Sequence, residues 1–220
     1  MKRAIFLGSF NPPHKGHYEV VKSVINSGLM EKLGINKIHV IPCWQNPNKK
    51  KFTTTFIQRY RMCMFMFGDL IKEGLVCPDD IEEELCPEYT YELIRHFNTG
   101  RDLYINKNKK GFWWIITTET LNEIIEGKWK NSEELLSNNN FIVVYRKGEL
   151  LDKYNLMIHD GKLRAFFVEL EHEYDFHSTE LREKAKRGKS IAEETCDRLD
   201  YFYRIKFRKI QHLYDTYEYV

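Results

Sequence analysis

The sequence has few cysteines, no long apolar run and almost no excess of either charge, and each shortage excludes a class of protein. Its five cysteines are odd in number and none falls in a C-x-x-C pair, so neither a disulfide framework nor a zinc knuckle is expected. Free thiols in a reducing, cytoplasmic compartment are the expectation. The longest apolar stretches, such as Met62 to Phe67, fall far short of the roughly 20 residues of a membrane helix. Ala4 to Leu7 is likewise too short for the h-region of a secretory signal, about 7–15 apolar residues, so no signal and no membrane partner are expected. Lys and Arg number 34 against 32 Asp and Glu, a net charge of +2. That balance does not suit a general nucleic-acid binder or an RNA-binding module, which would carry a basic excess.

What is present describes a folded chain. The 220 residues are 42% hydrophobic and 14% aromatic, with a mean hydropathy of -0.54, enough to bury a core without metal or disulfide staples. There is no internal repeat and no linker, so one domain over residues 1–220 is expected, with 178–220 as a C-terminal helical subregion. Arg3 to Leu7 reads as a buried strand that stops at Gly8. Gly8 to Gly16 holds two glycines, two prolines and Asn11, the composition of a loop. From His17 the spacing of Val20, Val21, Val24, Ile25 and Leu29 is helical, and Lys37 to Pro42 reads as a second strand. Strands are further expected at Val76 to Glu82, Phe112 to Thr117, Phe141 to Tyr145 and Ala165 to Val168. Helices are expected at Phe56 to Leu70, Tyr89 to Phe97, from Thr120 to Ile125, at Ser178 to Lys186, and from Ser190 to Tyr203 or beyond. The alternation implies an α/β class, a Rossmann-like open parallel sheet with helices on both faces and a C-terminal helical portion.

The chemistry concentrates at Gly8-Ser9-Phe10-Asn11-Pro12-Pro13-His14-Lys15-Gly16-His17. This stretch leaves the first strand and opens the first helix, where open α/β sheets bind ligands. A helix N-terminus offers free N–H groups to phosphate. Gly8 and Gly16 would let the backbone approach a ligand, and two histidines add donors for charge on transferring phosphates. The stretch is neither a Walker loop nor the dinucleotide fingerprint. Near the C-terminus, Ser178 reads as a helix N-cap with Arg182 one turn along on a similar face. That is ordinary capping when taken alone, and a second phosphate grip when taken with the first motif.

The first stretch resembles the G-x-F-x-P-x-H-x-G-H signature of the nucleotidyltransferase superfamily. Ser178-Thr179-Glu180-Leu181-Arg182 resembles the S-T-x-x-R element of its adenylyltransferase branch and not the K-M-S-K-S of tRNA synthetases. Four further stretches resemble bacterial-type nicotinate mononucleotide adenylyltransferases. Ile41-Pro42 followed by Asn46-Pro47-Asn48-Lys49 is similar to P-x-x-x-P-P-H-K, with Asn48 in place of His. Glu88 to Leu93 is similar to S-Y-T-x-x-T-L. Ile115 to Leu121, followed by Trp129, is similar to I-I-G-A-D-S-L, with Thr117 and Glu119 in place of Gly and Asp. Phe141 to Gly148 is similar to a strand leading to R-P-G, with Lys147 in place of Pro.

The resemblance implies transfer of AMP from ATP to nicotinate mononucleotide, releasing pyrophosphate. It places His14, His17 and Arg182 in catalysis, and Gly8, Ser9, Phe10, Gly16, Arg146, Ser178 and Thr179 on ATP and its phosphates. Trp44, Lys49, Thr90, Thr117, Glu119 and Trp129 fall on the mononucleotide. Mg²⁺ is the implied cofactor, bridging phosphate oxygens with no dedicated protein cage. Trp129 has two readings, a ring packed on the core and a ring stacked on the pyridine. The Lys49-Lys50-Lys51 run is a solvated loop or a device for capturing phosphates. The tyrosine-rich C-terminal helix is core or a homo-oligomer interface. Alternatives at this stage are a nicotinamide acceptor, a sibling transferase of the phosphopantetheine type, and a nucleotide-binding protein without catalysis.

Overall fold

The structure is a computed structural model that describes residues 2–45, 54–99, 112–175 and 177–205. Its centre is a parallel six-stranded sheet with the order β3-β2-β1-β4-β5-β6. The strands are β1 (Lys2–Gly8), β2 (Ile35–Pro42), β3 (Val76–Pro78), β4 (Phe112–Thr117), β5 (Phe141–Tyr145) and β6 (Ala165–Glu169). The chain steps outward from β1 to β3, then returns to place β4 on the free side of β1. The strand order therefore reverses between β1 and β4, and a crevice opens there beyond their carboxyl ends, at Gly8 and Thr117.

Two apolar layers cover the sheet, and successive strand residues feed them alternately, as a side-chain period of two requires. Ala4, Phe6, Ile38, Val40, Ile115, Ile142 and Val144 enter one layer. Ile5, Ile41, Trp114, Ile116, Phe141 and Val143 enter the other. Because both faces are covered, β5 reads as an unbroken apolar run, Phe-Ile-Val-Val-Tyr. The first layer is completed by α1 (Lys15–Asn26), α2 (Leu29–Leu33), α3 (Phe56–Met66), α4 (Gly68–Lys72) and α10 (Ser178–Lys186). The second is completed by α5 (Ile81–Leu85), α6 (Thr90–Thr99), α7 (Thr118–Ile125), α8 (Ser132–Asn138) and α9 (Asp152–His159).

Several expected boundaries shift. Helix α1 begins at Lys15 and not at His17, so both histidines belong to its first turn. The expected helix over Phe56 to Leu70 divides at Phe67, which ends α3 and precedes α4. The strand expected to reach Glu82 stops at Pro78, and Glu82 lies in α5. The final helix runs from 197 and not from Ser190. Side chains hold residues 190–196 in a turn: the Ile191 N–H donates to Asp200 Oδ1 at 2.8 Å, and the Thr195 hydroxyl donates to the Ile191 carbonyl at 2.6 Å. In that last helix Leu199 and Tyr203 are buried core, whereas Tyr201 is exposed. Among the described residues no helix is long and apolar enough to cross a membrane.

Candidate active site

Past the end of β1 the chain folds over its own side chain. Phe10 takes a left-handed conformation, φ 44°, and its ring is buried, 5.5 Å from Phe6 and 5.1 Å from His17 between centroids. A Cβ on Gly8 would lie 2.8 Å from that ring, and one on Gly16 would lie 3.1 Å from the His14 ring. A side chain at Gly8 would force the Phe10 ring to shift, and one at Gly16 would crowd the His14 ring, a reason different from the ligand approach that the sequence suggests. Phe10 contributes packing beneath His17.

The two histidines are coupled through the helix start. His14 is the N-cap of α1 and His17 stands three residues on. The backbone N–H of His14 donates to His17 Nδ1 at 3.2 Å, so Nδ1 holds a lone pair and the neutral ring carries its proton on Nε2. The rings lie 3.8 Å apart between centroids, tilted by 46°. Burial, with a smaller contribution from nearby His177, pushes the His14 imidazole down to about 4. At neutral pH His14 is therefore uncharged.

The C-terminal motif grips this loop from behind. The Ser178 hydroxyl donates to the Pro12 carbonyl at 2.9 Å. Arg182 donates to the Asn11 carbonyl and to Thr179 Oγ1, each at 2.8 Å. On the loop's other side Thr54 donates to Asn11 Oδ1 at 2.7 Å. Ser178 is not the N-cap, as its sequence suggests. His177 caps α10, and Glu180 accepts the His177 N–H at 3.3 Å. Ser178 is displaced inward by one position, and its hydroxyl is free to bond the loop.

Two cavities meet at Leu7, Gly8 and Trp129. The larger, about 330 Å³, is lined by His14, Gly16, His17, Thr117, Glu119 and Arg146, and it reaches the size of small-molecule sites, about 300–1,000 Å³. His172 and His177, absent from the sequence reading, line it too. The smaller, about 140 Å³, is lined by Ser9, Cys43, Thr90, Lys128 and Lys130 with the rings of Tyr89 and Tyr91. Thr117 and Glu119 line the histidine-bearing cavity and Ser9 the smaller one. Thr117 also caps α7, its hydroxyl accepting from the Thr120 N–H at 3.4 Å. Trp129 is held by its indole N–H on Glu123 Oε2 at 2.9 Å and packs edge-on against Trp114 at 5.9 Å. Trp129 thus packs on the core, as one of its two readings expects, and the residue also lines both cavities. The Trp44 ring packs on Phe56. Lys49, with Lys50 and Lys51, lies outside the described residues.

The walls of the smaller cavity depend on a pair that periodicity conceals. Arg59 of α3 is 1% exposed, and its guanidinium donates to the carbonyls of Ser9 at 3.2 Å, Cys43 at 2.5 Å and Trp44 at 3.2 Å. Glu82, also buried, accepts the Trp44 N–H. Arg59 therefore joins the ends of β1 and β2. Burial pushes the Glu82 carboxyl up to about 7. Among the described residues no group of three or more His, Cys, Asp or Glu is placed to hold a metal ion.

Comparison with known proteins places this arrangement. The family model described as cytidylyltransferase-like matches residues 5–184. A Clostridium tetani protein named probable nicotinate-nucleotide adenylyltransferase is 29% identical over 197 residues, covering 86% of this chain and 90% of that protein. A Campylobacter jejuni protein of the same name is 32% identical over 146 residues, covering 66% of this chain and 72% of its own. Among solved structures, Plasmodium falciparum nicotinic acid mononucleotide adenylyltransferase complexed with NaAD has a TM-score of 0.70 at 21% identity, covering 94% of this chain and 96% of the other. That likeness concerns the fold.

Proposed function

The chain belongs to the cytidylyltransferase-like family, and within it we propose that the protein transfers the AMP moiety of ATP to nicotinate mononucleotide, giving nicotinate adenine dinucleotide and pyrophosphate. The observation that carries this reading is the divided cleft at the sheet's switch point. One cavity holds the His14–His17 pair at a helix N-terminus, and the adjoining one is lined by aromatic rings and lysines. ATP occupies the first and the pyridine of the mononucleotide the second, so that the reacting phosphates meet at Gly8. The names of the Clostridium and Campylobacter relatives support the same substrates. Five free cysteines fit a cytoplasmic setting.

A 5′-phosphate oxygen of the mononucleotide attacks the α-phosphorus of ATP. A new P–O bond forms as the bond to the β-phosphate oxygen breaks, and the electron pair leaves with pyrophosphate. The nucleophile is already anionic, so positioning and charge stabilisation account for the acceleration. His17 donates through Nε2–H to the developing charge. His14, Arg146 and the Gly16 N–H in the first turn of α1 hold the polyphosphate. Ser178, Thr179 and Arg182 fix the loop that carries the histidines, and Arg182 completes the phosphate grip when ATP enters. Mg²⁺, when bound with the nucleotide, would supply neutralisation of polyphosphate charge. The donor set fits an ion carried mainly by the nucleotide, because the three carboxylates that line the ATP cavity, Glu119, Glu149 and Glu173, are not grouped to hold a metal.

With ATP and Mg²⁺, pyrophosphate release should be far faster with nicotinate mononucleotide than with nicotinamide mononucleotide. Release with phosphopantetheine and with neither pyridine nucleotide would move the protein to a sibling reaction.

Binding of ATP should also take up a proton. His14 stands near 4, and a polyanion bound beside the ring would raise that value, so between the two values binding and protonation are linked. Affinity then falls as pH rises through the raised value. Calorimetry at about pH 6, in buffers of different ionisation enthalpy, should count the uptake. His14→Asn should lose the histidine's share of it, and an identical count in the variant would place the proton elsewhere.

A further inference from the structure

The smaller cavity is electrostatically one-sided. Lys128 and Lys130 line it together with Tyr89, Tyr91 and Trp129, and among the described residues its lining contains no carboxylate. The acids of the neighbourhood bond residues of the lining without lining the cavity themselves. Glu126 pairs with Lys128 at 2.6 Å, and Glu123 accepts the Trp129 indole N–H. Glu92 accepts the backbone N–H groups of Glu88 and Tyr89 at 2.8 and 3.4 Å. This last contact removes two backbone donors that could otherwise meet an incoming anion at the start of α6.

The two lysines are not equivalent. The charge of Lys128 is shared with Glu126, whereas among the described residues Lys130 pairs with no carboxylate. The Lys130 ammonium lies 5.7 Å from the centroid of the Tyr89 ring, within the range of a cation–π contact. That contact keeps its charge beside a ring that itself lines the cavity.

Resting on the nicotinate reading above, we propose that Lys130, assisted by Lys128, determines specificity by selecting an anionic aromatic ring over its neutral amide. The two substrates differ by one negative charge. A carboxylate on the ring would neutralise an ammonium that has no carboxylate partner among the described residues and form a charge-assisted hydrogen bond, roughly twice as strong as a neutral one. The amide leaves that ammonium uncompensated and loses the same contact, so the discrimination is a difference between two bound states.

The test compares kcat/KM for nicotinate mononucleotide and nicotinamide mononucleotide in the wild type, Lys130→Gln, Lys130→Arg, Lys128→Gln and the double Gln variant. Lys130→Gln should lower the acid-to-amide ratio about tenfold, through a fall confined to the acid. Lys128→Gln should lower it less, and Lys130→Arg should retain most of it. Raising the salt concentration should erode the wild-type ratio, as screening of an exposed charge requires. An unchanged ratio in the double variant, an equal fall for both substrates, or a wild-type ratio near one overturns the proposal. A wild-type protein that adenylylates neither mononucleotide overturns the underlying reaction instead, and so separates the two failures.

Discussion

Replacing His17 by alanine should lower turnover by about 10²–10³, the usual cost of one donor to developing charge, while KM for the mononucleotide changes only a few-fold. The argument begins with a backbone hydrogen bond. His17 Nδ1 accepts the His14 N–H, so this nitrogen cannot also be a donor in the neutral ring. The proton resides on Nε2, and the ring acts as a hydrogen-bond donor without serving as a base. A phosphate nucleophile requires no base, so the tautomer suits the task. Charge accumulates on the departing pyrophosphate only as the P–O bond breaks. A donor to that charge stabilises the transition state more than the bound substrates, and its removal is felt in kcat. His17→Asn, which keeps a side-chain N–H, should retain more turnover than His17→Ala. Thermal melting separates this loss from a packing defect, because His17 also touches the buried Phe10 ring. Wild-type turnover in the alanine variant would remove His17 from the chemistry.

The sequence exposes that pair because the motif is local. A strand end, a loop and a helix start lie within ten consecutive residues, and strand and helix periods meet there. The sheet strands were legible for the same reason: β5 is a continuous apolar run because both of its faces are covered. The helices missed were those with weak stripes. Helix α8 shows mainly acids in its first turn, Glu133 and Glu134, ahead of Leu135. Helix α9 has a usable pattern in Tyr154, Met157 and Ile158, but Asn155 and Lys153 dilute it. The other misses are long-range. Nothing near Ser178 in the chain shows that its hydroxyl meets Pro12. Nothing near Gly8 shows that Phe10 turns back over it, although a small residue two positions before an aromatic permits that fold. Arg59 sits in a methionine- and phenylalanine-rich helix, where an arginine reads as a solvated face. Its three acceptors come from the ends of two different strands.

Arg59→Met should therefore give the largest loss of stability of any single change in the site. Methionine fills much of the same volume, so the transfer penalty of a cavity is small. What is lost is the bridge to the Ser9, Cys43 and Trp44 carbonyls, three acceptors left in a place from which water is largely excluded. A buried acceptor left without its donor costs about 1–3 kcal/mol, so three carbonyls together cost at least about 3–5 kcal/mol. For a chain of this size that is a fall of roughly 6–20 °C in Tm. Arg59→Lys should recover only part of it, because a single ammonium cannot span three carbonyls on two strands. Glu82 gives the same assembly a pH signature. Its carboxyl is raised to about 7 in the fold, so between its unfolded value, about 4.5, and 7 the folded state binds the extra proton. Stability should be full below that window and decline as pH rises through it. Glu82→Gln, which keeps an oxygen for the Trp44 N–H, should flatten the decline. Arg59→Met should shift the decline upward, because the guanidinium is one of the groups that lower the Glu82 value. Melting curves of the three proteins across that range decide it: parallel pH profiles in wild type and Glu82→Gln would separate Glu82 from the titration, and a melting point unchanged in Arg59→Met would show that the two strand ends hold together without it.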